Sequence, residues 1–293
     1  MLGEVLTAAV TPFDADGAVA LDRFRALCRH LVDNGSDGIV VTGTTGEAPT
    51  LTDEERLALY EVALDEVGAT HTVVAGTGTN DTHHSVELTR QAHELGVHAF
   101  LVVTPYYNKP PQRGILAHVE AVAAATDRPV VFYDIPSRVV VDVEPATISA
   151  LAQISNVTAV KQAKPSLEAA RHVVASGLDL YAGDDDLIHP FLEVGGVGGI
   201  CVHTHIVGPQ VKEMISRYRA GDLDGARTLD AELSPAIDLL RVQTNPIPIK
   251  TALNLLGHDL GGFRLPLVSA TEEEEAAVRG CLARLGLLHA AVA

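Results

Sequence analysis

Residues 38–75 read GIVVTGTTGEAPTLTDEERLALYEVALDEVGATHTVVA and contain the pattern that repeats along the chain. It begins with a short apolar run at residues 38–41, continues through a helical pattern at residues 52–67, and ends in a second apolar run at residues 72–75. The helical part opens with Thr52-Asp-Glu-Glu55, the spacing of a capping box, in which each side chain binds the other residue's backbone N–H. The stretch therefore predicts a β-α-β unit, the repeating element of a parallel sheet.

The same alternation extends in both directions along the chain. Hydrophobic residues make up 47% of the sequence and aromatic residues 4%, so buried strands must be built mainly from Ala, Val, Leu and Ile, as in parallel sheets. Eight β-α units close a barrel, so the sequence predicts an α/β fold, a (β/α)8 TIM barrel. The eight apolar runs cover residues 6–10, 38–41, 72–75, 99–103, 129–133, 158–161, 178–182 and 198–202.

Beyond residue 218 the strand signals stop, but helical patterns continue over residues 222–241, 247–256 and 271–287. We therefore expect a catalytic barrel over residues 1–221 and a C-terminal helical domain over residues 222–293. An open doubly wound sheet is the rival fold. It is disfavoured because its G-x-G-x-x-G fingerprint directly after a strand is missing, Gly76-Thr-Gly78 being a partial match.

Charge and cysteine content restrict the class of partner. The formal net charge is −17, which opposes binding to nucleic acid or to anionic membrane surfaces. Cys28, Cys201 and Cys281 are far apart and form no C-x-x-C pair, so neither a disulfide framework nor a thiolate zinc site is expected. The N-terminal residues lack the pattern of a signal peptide, and no apolar stretch approaches the length of a membrane span. A cytoplasmic protein is the expectation.

Barrel enzymes carry their catalytic groups at the C-terminal ends of the strands and in the loops that follow. These positions are polar in this chain. They comprise residues 43–47 after the second run, 104–107 after the fourth, 133–138 at the fifth, Lys161 at the sixth and 183–186 after the seventh.

Lys161 ends the apolar run VTAVK at residues 157–161, so its ammonium should point into or just above the barrel interior. At a reference pKa of about 10.4, roughly one lysine in 2,500 is neutral at pH 7, and only the neutral amine attacks a carbonyl. Burial can lower such a pKa by about 3–5 units. Lys161 is therefore predicted to form a Schiff base with an α-keto acid such as pyruvate, and a structural salt bridge is the alternative.

Neighbouring strand ends supply what a Schiff-base reaction needs. Tyr133, one strand away, is placed to relay protons, although a tyrosine at a barrel rim can simply bind backbone. Thr44 and Thr45 lie between glycines, so hydroxyls and backbone N–H groups there can cradle a carboxylate or simply satisfy their own turn. The guanidinium of Arg138 suits a second carboxylate, with a surface arginine as the alternative.

The motifs GTTGE, VTPYYNKPPQRG, YDIPSR, VKQAK, AGDDD and TNPIPIKTALNLLG, taken in this order, closely resemble the dihydrodipicolinate synthase family of 4-hydroxy-tetrahydrodipicolinate synthases. The resemblance runs nearly from end to end. The wider superfamily includes N-acetylneuraminate lyase and keto-sugar-acid aldolases and dehydratases, and the arginine of YDIPSR separates the synthases from these.

The resemblance implies a role for each matching residue. The Schiff-base lysine of the family falls on Lys161, its proton-relay tyrosine on Tyr133 and its bridging threonine on Thr44. Thr45 matches the residue that holds the pyruvate carboxylate. Tyr107 matches a tyrosine that reaches across a dimer interface into the neighbouring subunit's relay.

The resemblance also implies the second substrate and the assembly. Arg138 matches the residue that binds the carboxylate of L-aspartate 4-semialdehyde, while Gly183 and Ile200 match backbone positions that line the pocket. The implied enzyme is a Schiff-base-forming lyase of diaminopimelate and lysine biosynthesis. It needs no cofactor or metal and is typically a homotetramer, a dimer of dimers.

The chain departs from the family pattern at several positions. Asp134 replaces a common Asn, Gln162 stands where Glu or Asp is frequent, and the eighth run continues into His203 and His205. If His203 and His205 share one strand face, they could instead be ligands of a metal-dependent class II aldolase. A keto-acid-binding regulator without turnover is the non-enzymatic alternative.

The lysine-feedback site of sensitive family members also looks incomplete, so the sequence predicts weak or absent inhibition by L-lysine. Asn80 and Tyr106 match that site, whereas Ala48, Asp53, Arg56 and His84 depart from it.

Overall fold

The computed structural model describes residues 2–288 and contains, over that range, a closed barrel of eight parallel strands in sequence order. Each predicted apolar run overlaps one strand, with ends that differ by up to two residues, which confirms the (β/α)8 prediction. The strands are β1 (Val5–Ala8), β2 (Gly38–Val41), β3 (Thr72–Gly76), β4 (Ala99–Val103), β5 (Val130–Asp134), β6 (Val157–Gln162), β7 (Asp179–Ala182) and β8 (Gly198–Cys201).

Side chains alternate between the two faces of the barrel wall, as the pleat of a strand requires. On β6, Ala159 packs inside the barrel, whereas Val160 packs outward against the helices. The interior is filled by aliphatic residues and by Tyr133 and Tyr181. Lys161 has the parity of Ala159, so its side chain belongs to the interior face.

Helices connect successive strands and cover the outside of the barrel. The predicted capping box is present: Thr52 Oγ1 accepts the Glu55 backbone N–H at 3.3 Å, and Glu55 Oε2 accepts the Thr52 N–H at 3.0 Å. The helices are α1 (Leu21–Asp33), α2 (Asp53–Val67), α3 (Thr82–Leu95), α4 (Gln112–Ala123), α5 (Pro136–Val139), α6 (Pro145–Leu151), α7 (Leu167–Ala175), α8 (Ile188–Leu192) and α9 (Thr204–Arg219).

Further helices follow the barrel, as the sequence predicts. The pattern at residues 222–241 forms two helices, however, because Pro235 has no backbone N–H and is tolerated in the first turn of a helix but not in its interior. The division into domains at residue 221 stays a prediction. These helices are α10 (Leu223–Glu232), α11 (Ser234–Leu240), α12 (Ile247–Leu255) and α13 (Glu272–Arg284).

The segment between α11 and α12 lies over the mouth of the barrel, where Thr244 and Asn245 line a cavity together with the strand ends. Residues after the barrel therefore take part in forming the site. Among residues 2–288, no helix has the length and apolar character needed to cross a lipid bilayer.

Candidate active site

Lys161 lies near the end of β6 with its side chain 5% exposed. Its Nζ is 4.0 Å from the centre of the Tyr133 ring, and the two residues are paired in register on β6 and β5. Burial disfavours the charged ammonium and lowers the pKa of Lys161 to about 8, although the carboxylates of Asp185 and Asp184 oppose this shift. A much larger share of the amine is therefore neutral near pH 7 than in an exposed lysine.

Two tyrosines flank Lys161 in register, and their hydroxyls have different surroundings. Tyr133 lines the cavity above Lys161, whereas the hydroxyl of Tyr181 donates to the Gly3 carbonyl oxygen at 2.9 Å, at the other end of the barrel. Burial raises the pKa of Tyr133. Its phenol therefore stays protonated at neutral pH and can donate a proton to a group bound in the cavity.

A cavity of about 340 Å³ opens above Lys161. Its volume is in the range of small-molecule sites. The structure brings most of the predicted site residues to its wall. Those predicted residues are Thr44, Thr45, Tyr133, Arg138, Lys161 and Gly183.

Thr44 and Thr45 belong to the loop that follows β2. Thr45 is buried and its Oγ1 accepts a hydrogen bond from Asn245 Nδ2 at 2.9 Å. Arg138 is exposed on the short helix α5, and its Nη2 lies 3.4 Å from the Asn245 carbonyl oxygen. Asn245 thus contacts both residues that the sequence assigns to substrate carboxylates. Asn245 lies in the motif TNPIPIKTALNLLG, where the sequence alone predicts no role for it.

Two predicted site residues lie away from the cavity wall. Ile200 is fully buried in the barrel interior. Tyr107 is 89% exposed and has a φ of +72°, a left-handed conformation that is rare for a bulky residue. Its ring does not line the cavity of its own chain over the described residues. The roles of both stay predictions.

The acidic segment after β7 leads into a helix. A 3-10 turn at Asp185–Leu187 leads directly into Ile188–Leu192. Asp185 Oδ1 accepts the backbone N–H groups of Val202 at 2.8 Å and of His203 at 2.6 Å, and His203 Nδ1 lies 2.7 Å from the same oxygen. Asp185 therefore connects the residues after β8 to the lining of the cavity.

The idea that His203 and His205 share a strand face is wrong. β8 ends at Cys201, and both histidines lie at the start of α9, where residues two apart point in different directions. The ring of His205 is held by backbone, with Nδ1 2.7 Å from the Val202 carbonyl oxygen and Nε2 accepting the Val10 N–H at 3.3 Å. In the described part of the chain, no group of three or more potential metal ligands comes together.

Asp134 departs from the family pattern at a position outside the cavity. It follows Tyr133 on β5, so strand alternation directs it to the outer face, where it is paired in register with Gln162. Burial raises the pKa of its carboxyl to about 7. The departures at Asp134 and Gln162 therefore change the barrel wall behind the site and leave the cavity lining unaltered.

The structure contains a second deeply buried lysine, whose burial is not evident from the sequence. Lys250 on α12 is fully buried, its Nζ lies 3.1 Å from Glu47 Oε1, and it packs over the rings of Phe13 and Phe263 at 4.3 Å and 4.8 Å. Burial lowers the pKa of Lys250 to about 8, with Glu47 opposing the shift. Burial alone does not distinguish the two lysines; the cavity above Lys161 does.

Comparison with known proteins agrees with these features. Residues 1–285 match the sequence profile of the Dihydrodipicolinate synthetase family. A relative from Moorella thermoacetica, named 4-hydroxy-tetrahydrodipicolinate synthase, is 46% identical over 289 residues, which cover 98% of this chain and 99% of the relative.

Solved structures show the same fold at nearly full length. The dihydrodipicolinate synthase of Cyanidioschyzon merolae, with lysine bound, is 39% identical with a TM-score of 0.96 and covers 98% of this chain and 99% of its own. The chloride-inhibited enzyme of Acinetobacter baumannii, complexed with pyruvate, is 33% identical with a TM-score of 0.95, covering 98% of this chain and 100% of its own. This chain belongs to the dihydrodipicolinate synthetase family.

Proposed function

We propose that this chain is a Schiff-base-forming lyase that condenses pyruvate with L-aspartate 4-semialdehyde, the reaction of a 4-hydroxy-tetrahydrodipicolinate synthase. The observation that carries the proposal is the buried amine of Lys161, which faces the cavity beside Tyr133 and has a pKa lowered to about 8. The full-length relatives that bear this name support the choice of reaction.

The first half of the reaction follows from the positions of the groups. The hydroxyls of Thr44 and Thr45 receive the pyruvate carboxylate, which brings the keto carbon to the neutral amine of Lys161. The amine adds to this carbon to give a carbinolamine, and water leaves to give the Schiff base. Tyr133 donates the proton that the departing hydroxyl needs and recovers one in the next step, when the methyl group loses a proton to form the enamine.

The second half joins the two substrates. The enamine carbon attacks the aldehyde of L-aspartate 4-semialdehyde, a new C–C bond forms, and the aldehyde oxygen takes up a proton. The amino group of the second substrate then attacks the Schiff-base carbon, closes the ring and displaces Lys161. One water molecule is lost over the whole sequence, and no electrons are exchanged with an external partner.

Arg138 is proposed to select the second substrate. Its guanidinium stands at the cavity wall and can bind the carboxylate of L-aspartate 4-semialdehyde by two parallel hydrogen bonds. A sugar-derived aldehyde has no carboxylate at that position. Other pyruvate-dependent aldolases of the superfamily remain the second candidate, because they would use the same lysine and the same carboxylate cradle.

The proposal includes the assembly and the setting of the enzyme. Tyr107 would enter the relay of a neighbouring subunit, in agreement with its exposure and its left-handed backbone, and a homotetramer built as a dimer of dimers would supply that neighbour. The expected place is the cytoplasm, in diaminopimelate and lysine biosynthesis. Light scattering and a Tyr107→Phe variant test the assembly and the relay together.

The choice of substrate is tested by comparing candidate substrates: pyruvate consumption is followed for condensation, pyruvate release for cleavage and loss of the sugar acid for dehydration. L-Aspartate 4-semialdehyde should support turnover, and the matched control compounds, N-acetylneuraminate for cleavage and 2-keto-3-deoxy sugar acids for cleavage or dehydration, should not. Turnover of a sugar acid in preference to aspartate semialdehyde would move the chain to another branch of the superfamily. Pyruvate binding without turnover of any partner would indicate a regulator.

A further inference from the structure

The loop that carries the two threonines is held at two points by residues that follow the barrel. Asn245 Nδ2 donates to Thr45 Oγ1 at 2.9 Å, and Lys250 Nζ lies 3.1 Å from Glu47 Oε1. Five positions separate Asn245 from Lys250 in the chain, and two separate Thr45 from Glu47. One short segment, the start of α12 and the residues before it, therefore fixes one short loop.

Glu47 is engaged by both its backbone and its side chain. It has a φ of +56°, and its N–H donates to the Thr44 carbonyl oxygen at 3.1 Å, which closes the turn that presents the hydroxyls. Its second carboxylate oxygen accepts the backbone N–H of Arg264 at 3.2 Å. A displacement of the Glu47 carboxylate would therefore be transmitted to Thr44 through a turn of four residues.

The ion pair between Glu47 and Lys250 is fully buried, with neither side chain exposed to solvent. Removing two charges from water is costly, and apolar residues of similar volume often stabilise a protein as well as such a pair or better. Stability alone is thus a weak reason for its presence. What an ion pair adds over apolar packing is a defined position for each partner.

We propose that Lys250 is a positioning residue for the pyruvate subsite: through Glu47 it holds the Thr44 and Thr45 hydroxyls where they receive the substrate carboxylate. Lys250 does not line the cavity, so it acts through the loop and does not touch pyruvate. The inference rests on the proposed function for the identity of the carboxylate. It implies that the helices after the barrel contribute to pyruvate binding as well as to packing.

The test compares Glu47→Gln/Lys250→Met, which removes both charges and keeps the side-chain lengths, with the wild type. We expect KM for pyruvate to rise about tenfold, whereas KM for L-aspartate 4-semialdehyde stays near the wild-type value. The reason is that the substitution weakens one contact, that of the threonine hydroxyls with the pyruvate carboxylate. If the ion pair served only stability, the double substitution would lower the melting temperature and leave the two KM values in their wild-type ratio. A folded double variant with the wild-type KM for pyruvate would overturn the inference.

Two further variants keep the test decisive. Lys250→Arg keeps the positive charge but changes the length of the side chain, so it should raise KM for pyruvate less than the double variant does. If the double variant does not fold, an unchanged KM for pyruvate in Lys250→Arg counts against the inference. Arg284→Ala is the matched control, since it removes the exposed ion pair with Asp238 at 2.8 Å in the same C-terminal helices and should leave KM unchanged.

The design also separates this inference from the proposed function. Borohydride trapping of pyruvate on the wild-type enzyme shows whether the Schiff base forms at all. If wild-type enzyme gives the adduct, half-saturation by pyruvate in the trapping reaction provides a second readout of the positioning role, independent of the aldehyde. If wild-type enzyme gives no adduct, the proposed function is wrong. The positioning role then falls as well, because there is no bound pyruvate carboxylate to position.

Discussion

Lys161 and Tyr133 are paired in register on adjacent strands, and the amine of the lysine lies 4.0 Å from the centre of the tyrosine ring. In a parallel barrel, residues paired in this way face the same side of the wall, and both of these side chains line the same cavity. The proposed nucleophile and the proposed proton donor are thus held by two adjacent strands, whereas the residues proposed to bind the substrate carboxylates lie in the segments that follow the strands.

Removal of the Tyr133 hydroxyl should slow the reaction strongly. We expect Tyr133→Phe to lower kcat by about 10²- to 10⁴-fold, the usual contribution of a positioned acid-base group. Tyr181→Phe is the matched control, because Tyr181 also flanks Lys161 in register but donates its hydroxyl to the Gly3 carbonyl oxygen. Equal losses in the two variants would show that packing around Lys161, and not proton transfer, explains the effect.

The pH dependence should report the amine of Lys161. Its pKa is lowered to about 8 by burial, and the reactive form is the neutral one, so activity should increase as the pH rises toward this value. We expect kcat/KM for pyruvate to rise about tenfold per pH unit below about pH 8 and to level off above it. A profile that keeps rising to pH 10, as for an ordinary exposed lysine, would contradict the assignment.

Binding of the carboxylate of the second substrate should depend on Arg138. A hydrogen bond to a charged group contributes about 1.5–3 kcal/mol, so Arg138→Ala should raise KM for L-aspartate 4-semialdehyde by roughly ten- to hundredfold. KM for pyruvate should change little. Arg138→Lys keeps the charge but lacks the planar guanidinium, so its KM for L-aspartate 4-semialdehyde should lie between those of the wild type and Arg138→Ala. Steady-state kinetics that show an unchanged KM in Arg138→Ala would remove Arg138 from this role.

L-Lysine should inhibit this enzyme weakly or not at all. A second cavity, of about 280 Å³, is lined by Ala48, Arg56 and Tyr106, and the buried Arg56 donates to the Ala48 carbonyl oxygen at 2.6 Å. A guanidinium at this wall opposes the binding of another cation. Initial rates at millimolar L-lysine are the measurement; loss of most of the activity would show that the altered residues still form the feedback site.

The barrel could be predicted from the sequence because its strands have a strong local signal. Each apolar run is short, is followed by a polar loop and alternates with a helical pattern, so local composition alone marks the eight strands to within two residues at each end. Lys161 and Tyr133 could be placed for the same reason: both lie at strand ends, and the barrel brings all the strand ends to one face.

The remaining parts of the site depend on contacts between residues distant in sequence. Lys250 has a helical pattern around it, and nothing in that pattern shows that its amine meets Glu47 about two hundred positions away in the chain. Asn245 lies in the motif TNPIPIKTALNLLG, but its contact with Thr45 forms only because the chain folds back over the barrel. Over the described residues Tyr107 does not line the cavity of its own chain, so its predicted role cannot be read from the structure of one chain.

Borohydride reduction in the presence of pyruvate tests whether Lys161 forms the Schiff base. The enzyme should become inactive and gain the mass of one reduced pyruvate per chain, and peptide mapping should place this mass on Lys161. Lys250 is the internal control, since it is also buried and its pKa is also lowered to about 8, but it is paired with Glu47 away from the cavity. An adduct on Lys250, or an enzyme that keeps its activity and gains no mass, would contradict the assignment of the Schiff base to Lys161.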